Sequence, residues 1–325
     1  MRGNDYLGSS LTVLEAKKRR RRKYIPGLAY LKFRPKKYWT RQEAARLYYE
    51  TVHPFIEQDT VVFEDCIKGM ESMPANSVDL VIADPPFGLN FSGKETIYNR
   101  NSDFVIDQYF EVDENYGEFT ERWMKLIRKV MKPHATAYVF SGWTHLEEVL
   151  RGARRAGLIT INHLIWKYQF GVFTKRKYVT SHYHILFLAK DHEKYFFNKL
   201  EHYPEDVWII NRKYRVGQPK NGNALPEEVV RKCIEFSSKP GDLVFDPFMG
   251  MGTTAVAAKG TWRHFFGFEI NKLLKPIIMQ RLREKKLGQD YRTLTEIRKK
   301  IIENAKKKYP KAYEIYMKMQ RERLI

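Results

Sequence analysis

The stretch "VFDPFMGMGTTAVAAKG", Val244–Gly260, decides the fold of this 325-residue chain. It begins as an apolar strand that ends at Asp246, and Gly250 and Gly252 then permit a tight turn. Thr253 starts a helix of small residues directly after the turn. A strand, a glycine turn and a helix in this order hold the polar end of a cofactor at the helix N-terminus. The stretch therefore predicts an α/β sheet with a cofactor at the ends of its strands.

The spacing of the glycines excludes two common nucleotide-binding motifs. The pattern G-x-G-x-x-G fails at Ala255, and no Gly-Lys-Thr follows as it would in a P-loop. The next predicted strand, "FGFE", ends in Glu269, where a carboxylate would meet ribose hydroxyls. Together these features indicate an adenosine-bearing cofactor that lacks a pyrophosphate.

The stretch "LVIADPPFG", Leu80–Gly88, is a second rigid turn at the end of a predicted strand. Asp84 is followed by Pro85 and Pro86, which lack backbone donors and have a fixed φ, so neither a strand nor a helix continues. A carboxylate and a proline carbonyl can accept both hydrogens of an exocyclic amine, and Phe87 offers a flat face for a base. A rigid surface turn is the alternative. The preceding buried strand and the glycine turn favour the catalytic role.

Predicted strands and helices alternate through the middle of the chain. The strands are continuous apolar runs, which is typical of strands buried on both faces of a sheet. This alternation predicts a doubly wound, mostly parallel sheet with helices on both faces. Two further strands, 162–169 and 183–190, can form a hairpin. The other predicted strands lie at residues 60–65, 77–84, 135–142, 242–246 and 264–269.

The net charge of +20 is concentrated at the two ends of the chain. Residues 1–59 carry a surplus of 8 positive charges and residues 270–325 a surplus of 11, whereas the middle holds 27 Lys and Arg against 26 Asp and Glu. Basic ends on a neutral body predict nucleic acid as the partner. A thermophile-type charged surface is the alternative, but such surfaces normally balance the two signs.

Several other features of the sequence narrow the class of protein. No apolar run reaches the length of a membrane span, and the N-terminus is charged, so we expect a cytoplasmic protein. Cys66 and Cys233 give neither a disulfide framework nor a metal motif and are expected to be reduced thiols. His182 and His184 alternate along a strand, but without a third ligand we expect no metal site.

The two turns resemble the motifs of a known enzyme family. "DPFMGMGTT" resembles the S-adenosyl-L-methionine (AdoMet) motif of the amino-methyltransferases that produce N6-methyladenine or N4-methylcytosine, and "DPPF" resembles their catalytic tetrapeptide. The lead-in "FEDCIKGMESMPANSVDLVIADPPFG" is also similar, and in it Asp65 would face the cofactor adenine. The resemblance covers roughly residues 58–275, and the catalytic motif precedes the AdoMet motif, which is the order of the β group.

The resemblance implies a Rossmann-like class I methyltransferase, an α/β fold with a circularly permuted, doubly wound, mostly parallel sheet and a terminal β-hairpin. It implies AdoMet as the cofactor and a catalytic role for Asp84, Pro85, Pro86 and Phe87. The chain departs from the family at Met251, where serine is common. The cofactor-binding residues that the resemblance implies are Asp65, Asp246, Pro247, Phe248, Gly250, Gly252, Thr253, Thr254 and Glu269. Of these, Thr253 or Thr254 is expected to cap the helix after the glycine turn.

Three parts of the chain are expected. Residues 1–58 form a basic arm and a docking helix, which the capping-box pattern of Thr40 and Glu43 begins. This helix is expected to reach about His53 and to dock through the face that carries Ala44, Leu47, Tyr48 and Val52. Residues 59–275 form the methyltransferase domain, and residues 276–325 form a basic helical extension. Contacts to nucleic acid are expected from the basic block of the arm and from the loop after residue 169. The residues concerned are Lys17, Lys18, Arg19, Arg20, Arg21, Arg22, Lys23, Phe170, Phe173, Lys175, Arg176 and Lys177.

The substrate is expected to be structured RNA. The segment 191–224 leaves little room for an inserted element that reads several base pairs, whereas basic ends bind phosphates and shape. The chain is therefore compared first with archaeal-type rRNA N4-cytidine methyltransferases, and the favoured target is N4 of cytidine in ribosomal RNA, which would receive one or two methyl groups. The alternative is a site-specific DNA methyltransferase that makes N6-methyladenine or N4-methylcytosine. In DNA relatives an aspartate at the position of Asp84 accompanies adenine.

Two other classes of function stay open. The chain can be a nucleic-acid-binding module without activity, but Asp84 and the whole glycine turn are retained. It can also methylate a protein amide, because glutamine-modifying enzymes use a related Asn-Pro-Pro-Tyr turn, but the basic ends argue against that. The sequence does not indicate the oligomeric state.

Overall fold

The computed structural model describes residues 25–86, 115–169, 171, 175–212 and 224–322. One mixed sheet of eight strands forms the centre of the described chain. The strands are β1 (Thr60–Val62), β2 (Val78–Ala83), β3 (Met131–Ser141), β4 (Ile159–Lys167), β5 (His182–Ala189), β6 (Val207–Ile209), β7 (Leu243–Asp246) and β8 (His264–Phe268). Their order across the sheet is β1-β8-β7-β2-β3-β5-β4-β6.

The strand directions confirm the permuted, doubly wound sheet. The strands β1, β8, β7, β2 and β3, which are neighbours across the sheet in this order, are all parallel. Strand β5 is antiparallel to both β3 and β4, and β6 is parallel to β4. The late strands β7 and β8 lie between β1 and β2, and β4 and β5 form the predicted hairpin. After β7 the chain continues towards β8, whereas after β2 it continues towards β3. Because the chain leaves in opposite directions, the carboxyl ends of β7 and β2 form a topological switch point, where open α/β sheets bind ligands.

Helices cover both faces of the sheet. In the described part of the chain, none of them is long and apolar enough to span a membrane. A 3-10 turn, Lys272–Leu274, precedes the eighth helix. The α-helices are α1 (Leu28–Lys32), α2 (Arg41–Glu50), α3 (Cys66–Ser72), α4 (Tyr116–Val130), α5 (Leu146–Arg155), α6 (Glu227–Ser237), α7 (Thr253–Gly260), α8 (Lys275–Glu284), α9 (Leu294–Lys308) and α10 (Pro310–Arg321).

Strand β2 contributes alternate side chains to two separate hydrophobic cores. Leu80 and Ile82 pack with residues of α6, α7 and α8. Val81 and Ala83 pack on the other face with residues of α3, α4 and α5. Because successive side chains of a strand point to opposite faces, a continuous apolar run is required here. The two cores therefore fix β2 at the centre of the sheet.

The buried carboxylate of Asp79 holds β2 against both of its neighbours. It accepts hydrogen bonds from the Lys132 ammonium at 2.8 Å, from His134 of β3 at 3.0 Å and from the Leu243 backbone N–H of β7 at 3.0 Å. Burial raises the pKa of Asp79, but these partners outweigh burial and hold the pKa below its ordinary value. The contacts fix the strand that ends at Asp84.

Helix α2 confirms the predicted capping box and docks on the sheet. Thr40 accepts from the Glu43 N–H at 3.2 Å, and the Glu43 carboxylate accepts from the Thr40 N–H at 2.7 Å. The Tyr48 ring stacks on His264 of β8 with the ring centres 4.0 Å apart. Ala44 is buried as expected, whereas Val52 lies beyond the helix and is 74% exposed. The predicted helix was therefore too long at its C-terminal end.

Residues 25–34, 201–203 and 295–322 form a compact unit, here called the chain-end unit. The Arg298 guanidinium donates to the carbonyl oxygens of Leu31 and Phe33 at 3.3 and 2.9 Å and to the Tyr316 hydroxyl at 2.7 Å. One side chain thus joins α1, α9 and α10. The buried core of the unit consists of Leu31, Ala305, Ala312 and Tyr316.

Two elements differ from the prediction. Strand β6 lies in a segment where no strand was predicted, and it pairs with β4 through Val207 and Ile165. Strand β3 begins at Met131, immediately after α4, and includes Pro133 in its sequence. The sequence placed the start of this strand after the proline, because proline lacks a ladder donor. Cys66 and Cys233 are buried thiols without a disulfide between them, as expected.

Candidate active site

The two turns singled out in the sequence lie next to each other in the structure. Leu80 of β2 pairs with Val244 of β7, and Val81 pairs with Phe245. The strands are parallel, so the turns that begin at Asp84 and Asp246 leave the same edge of the sheet. In open α/β sheets ligands bind at this edge, where the chain direction reverses.

The carboxylate of Asp246 closes the glycine turn. One oxygen accepts the backbone N–H of Phe248 at 2.9 Å, and the other accepts the Thr254 hydroxyl at 2.5 Å. Gly250 and Gly252 have φ values of 53° and 77°, in the left-handed region that favours glycine. Burial raises the pKa of Asp246 to about 7, although both hydrogen bonds oppose this. Asp246 therefore shapes the turn from inside.

Helix α7 begins differently from the prediction. The sequence assigned the helix cap to Thr253 or Thr254, but the N-cap residue is Gly252, and no side chain of the described residues caps the helix there. The Thr254 hydroxyl donates to Asp246 instead. A carboxylate is a stronger hydrogen-bond acceptor than a neutral oxygen, so the Thr254 hydroxyl donates its hydrogen to Asp246. The first N–H groups of α7 consequently keep their capacity to bind an anion.

Glu269 connects the end of β8 to the glycine turn. One carboxylate oxygen accepts the Gly250 N–H at 2.6 Å, and the other accepts the Asn271 N–H at 2.8 Å. Burial raises the pKa of Glu269, and the two backbone N–H groups oppose the rise. Each carboxylate oxygen has a second lone pair, so the side chain can still accept hydrogen bonds from a diol.

The other residues predicted to bind the cofactor differ from one another in burial and in contacts. Asp65 is exposed, caps α3 by accepting the Lys68 N–H at 3.0 Å, and lies after β1 at the same edge of the sheet. Phe248 meets Trp123 edge-on at 5.4 Å and belongs to the core below α4, so packing explains this residue. Thr253 is buried and accepts a hydrogen bond from Arg281 of α8 at 3.3 Å.

These residues fit AdoMet. The N–H groups at the start of α7 suit an α-carboxylate, Glu269 suits ribose hydroxyls, and Asp65 suits an amine of adenine. A Cβ atom built at Gly250 meets no described atom closer than 3.8 Å, so the surface of the turn is open at this point. The arrangement leaves no glycine-rich cradle for a pyrophosphate, in agreement with the sequence.

Asp84 lies at the end of β2 with its side chain partly exposed, and Pro85 behind it is buried. Burial raises the pKa of Asp84, the negative charge of Asp246 raises it further and Arg212 opposes both, so that the pKa is about 7. A carboxylate with this pKa can gain or lose a proton near neutral pH, which suits acid–base work.

The structure brings some of the other predicted contacts to this edge. Lys175, Arg176 and Lys177 are exposed in the loop between β4 and β5, which begins at the same edge. Tyr178 and Trp143, which the sequence analysis did not assign, are 98% and 66% exposed there. The predictions for Lys17–Lys23, Phe87, Phe170 and Phe173 lie outside the described residues.

The structure adds Arg212, which sequence reasoning missed. Its guanidinium lies over the rings of Trp166, Tyr168 and Tyr183, at 4.8, 5.1 and 5.5 Å from the ring centres. Trp166 is fully buried. The signal in the sequence was the apolar run "VWII" before Asn211 and Arg212, which predicts a short strand delivering the arginine to the carboxyl edge.

A group of histidines lies on strands β4 and β5. The Nε2 atom of His163 is 2.8 Å from Nδ1 of His184, and the His182 ring centre is 5.0 Å from that of His184. Burial, together with the neighbouring His163 and His182, lowers the pKa of His184 to about 4. Across the described ranges, no group of three or more His, Cys, Asp or Glu side chains has the arrangement of a metal site.

The chain is similar to known methyltransferases. Residues 78–280 match the family model of the N6/N4 methyltransferases, described as DNA methylase. The type II methyltransferase M.HinfI of Haemophilus influenzae is 27% identical over 264 residues, which are 72% of this chain and 70% of the relative. M.HpaI of Haemophilus parainfluenzae is 27% identical over 241 residues, 68% of this chain and 73% of the relative.

Solved structures share the fold. The structure of M1.HpyAVI has a TM-score of 0.52 at 21% identity and covers 69% of this chain and 98% of its own. The cytosine-N4-specific PvuII DNA methyltransferase has a TM-score of 0.55 at 17% identity and covers 74% of this chain and 92% of its own. At these identities the likeness supports the architecture.

The fold and the adjoining turns define an AdoMet-dependent methyltransferase that acts on the exocyclic amine of a nucleic-acid base. The family match extends over more than half of the sequence. The chain belongs to the DNA methylase family of N6/N4 amino-methyltransferases.

Replacing Glu269 with glutamine is expected to weaken AdoMet binding. The amide cannot accept at both positions, so the N–H of Gly250 or of Asn271 loses its partner. Loss of a charged hydrogen bond predicts a Kd about 10- to 100-fold higher. Isothermal titration with AdoMet measures it. Glu71→Gln, at an exposed position of α3, is the control, and equal affinities for the two variants would contradict the role of Glu269.

Proposed function

We propose that this protein methylates an amine of a base in double-stranded DNA, with N6 of adenine as the favoured target. The adjacent turns of Asp84 and Asp246 carry the proposal, because they unite an amine acceptor and a cofactor turn at one edge. The family description and the two type II relatives support DNA as the substrate.

The expected preference for RNA is not supported by the comparisons. Both of the relatives described above are type II methyltransferases. They favour the alternative, a site-specific DNA methyltransferase. RNA was favoured because the short segment 191–224 leaves little room for reading base pairs and because the basic ends suit phosphates and shape. The described part of that segment contains β6 and Arg212, and other parts of the chain can contact DNA.

Asp84 is suited to receive the target amine. The amine nitrogen is a weak nucleophile because its lone pair is delocalised into the ring. A carboxylate at Asp84 and a carbonyl of the proline pair accept its two hydrogens, which favours a pyramidal nitrogen with an available lone pair. AdoMet, when bound, supplies an electrophilic methyl group. As the nitrogen gains a bond, Asp84 takes the proton that it releases.

The target base must leave the duplex to reach this edge. Trp143 and Tyr178 are exposed aromatic side chains, and both follow strands whose ends lie at the carboxyl edge. Lys175, Arg176 and Lys177 add positive charge beside Tyr178. Exposed aromatic rings next to cations suit unstacked bases and phosphates. This surface supports an approach of the DNA from the carboxyl edge.

Asp84, the first residue of the tetrapeptide, favours adenine as the target base. An aspartate at this position accompanies adenine in the DNA relatives that the sequence resembles, whereas serine accompanies cytosine. The earlier expectation of cytosine rested on the comparison with rRNA enzymes. With DNA as the favoured substrate, Asp84 supports N6 of adenine as the target.

The chain-end unit is proposed to bind the DNA backbone. Lys299, Lys300, Lys306 and Lys307 are exposed on the side of α9 opposite its buried residues. Glu303 is the one acidic side chain between them in the sequence, so the face keeps a net positive charge. No ion pair is recorded for these lysines within the described residues. Such cations bind phosphates without reading the sequence.

The proposal is tested by identifying the labelled nucleoside. The protein is incubated with tritiated AdoMet and either duplex DNA or total rRNA, and the nucleic acid is digested to nucleosides. We expect the label in N6-methyldeoxyadenosine. Label only in the rRNA nucleosides would overturn the proposal, and label in N4-methyldeoxycytidine would overturn the choice of base.

Two variants accompany this assay. Asp84→Asn is expected to lower methyl transfer by about 100-fold or more while AdoMet binding is kept, because the amide cannot take up the proton. Asp206→Asn, at an exposed position before β6, is expected to transfer methyl normally. Near-normal transfer by Asp84→Asn would exclude the assigned role.

The lysine face of α9 predicts a change in salt dependence. Changing Lys299, Lys300 and Lys307 together to glutamine removes three phosphate-binding charges. The slope of log affinity against log salt for duplex DNA is expected to fall by about 2 to 3. Fluorescence anisotropy with labelled DNA at several salt concentrations measures the slope.

The matched control removes three charges elsewhere. Lys125, Arg154 and Lys286 are exposed on other helices and loops, and their triple glutamine variant is expected to keep the wild-type slope. Equal slopes for the two triple variants would show that the α9 face does not bind the backbone.

A further inference from the structure

Helix α8 packs against the N-terminal end of α7. Ile278 of α8 is fully buried, and a Cβ atom added at Gly252 would lie 3.0 Å from its side chain. About one turn later, the Arg281 guanidinium donates to the Met251 carbonyl and, at 3.3 Å, to the Thr253 hydroxyl. The arginine is therefore fixed against the glycine turn by two hydrogen bonds.

The half-buried charge of Arg281 forms no ion pair within the described residues. The acidic side chains that act on it are Glu227 and Glu284, and both are engaged elsewhere. Glu227 pairs with Lys285 at 2.6 Å, and Glu284 accepts from the Gln280 amide at 2.9 Å. A guanidinium has five N–H donors and cannot be deprotonated, so a permanent charge with donors to spare is held at the turn.

The position of this charge is unfavourable for a helix without a ligand. The N-terminus of a helix carries a positive partial charge from its unsatisfied N–H groups, and cations stabilise the opposite end. Arg281 lies at the positive end of α7, which no side chain of the described residues caps. An anion at this place stabilises both positive charges at once. The α-carboxylate of AdoMet is the anion that the cofactor supplies.

Thr253 connects the arginine to the first turn of α7. It is the first residue of the helix, and its side chain is buried. Because the hydroxyl accepts from Arg281, its own hydrogen can be donated to an acceptor. Hydrogen bonds in a chain polarise one another, so the guanidinium strengthens this hydroxyl as a donor. Arg281 can therefore act on a ligand at the turn through Thr253.

We propose that Arg281 is a positioning residue for the cofactor: held against Met251 and Thr253, its charge stabilises the α-carboxylate of AdoMet at the start of α7. The inference goes beyond the proposed function, because it concerns the cofactor and is independent of the target base. It predicts selectivity among ligands. A ligand that lacks the carboxylate gains nothing from the arginine.

Isothermal titration with two ligands tests the proposal. One is AdoMet, and the other is decarboxylated AdoMet, which keeps the sulfonium, the methyl group and the amine but has no carboxylate. Arg281→Gln removes the charge and keeps an amide donor. It is expected to raise the Kd for AdoMet about tenfold, while the Kd for decarboxylated AdoMet stays within about twofold of the wild type. Arg281→Lys keeps the charge without the planar fork and is expected to lose less affinity for AdoMet than Arg281→Gln.

The control is Arg283→Gln, which removes one charge from an exposed position of the same helix. It is expected to bind both ligands as the wild type does. Equal losses of affinity for the two ligands in Arg281→Gln would show that the arginine only maintains the shape of the turn, and would overturn the proposal. An unchanged affinity of this variant for AdoMet would overturn it as well.

A second pair of variants tests the same contact from the side of α7, and it serves if Arg281→Gln does not fold. Thr253→Val removes the hydroxyl at nearly constant shape, and Thr253→Ser keeps it. Thr253→Val is expected to lose affinity for AdoMet about three- to tenfold and to keep its affinity for decarboxylated AdoMet, whereas Thr253→Ser binds both normally. Equal AdoMet affinities of the two variants would overturn the proposal. The titrations contain no nucleic acid, so a failure to methylate DNA would refute the proposed substrate and leave the role of Arg281 supported.

Discussion

The parallel pairing of β2 with β7 is the constraint on which the site depends. The register of Leu80 with Val244 places two Asp-Pro turns side by side, although they are far apart in the sequence. Asp79 strengthens the pairing by accepting from the Leu243 N–H, and it ties β2 to β3 on the other side. Because the chain leaves β2 and β7 in opposite directions, the pairing also creates a topological switch point, the place where open α/β sheets bind ligands.

The same pairing places Asp84 and Asp246 at adjacent strand ends, where their negative charges repel each other. The partners of the two carboxyl groups differ. Asp246 is buried, and the Phe248 N–H and the Thr254 hydroxyl occupy both of its oxygens, so it serves the shape of the glycine turn. Asp84 projects beyond its strand, where the charge of Arg212 opposes burial and repulsion. Equal residue types at adjacent strand ends thus acquire a structural and a chemical role, because their hydrogen-bond partners differ.

Much of the fold and of the candidate site could be predicted from the sequence, because local residue patterns indicate both. The apolar runs around Leu80 and Val244 indicated buried parallel strands, and the glycines and prolines marked both turns. The role of Thr254 could not be predicted, because a hydroxyl near a helix start can accept from the backbone or donate to a carboxylate, and only the position of Asp246 decides between them. Arg212 was missed because its surroundings are three aromatic rings that lie on or next to β4 and β5, and only the folded sheet brings these rings to the arginine.

The central claim is that the Asp84 turn and the glycine turn enclose one reaction site. A crystal structure with sinefungin, an AdoMet analogue that has an amine in place of the methyl group, tests this most directly. The account predicts that the ligand lies over Gly250 with its amine directed at Asp84, leaving room for a target nitrogen about 3–3.5 Å from the transferred group. A ligand that binds elsewhere, or whose amine points away from Asp84, would contradict it.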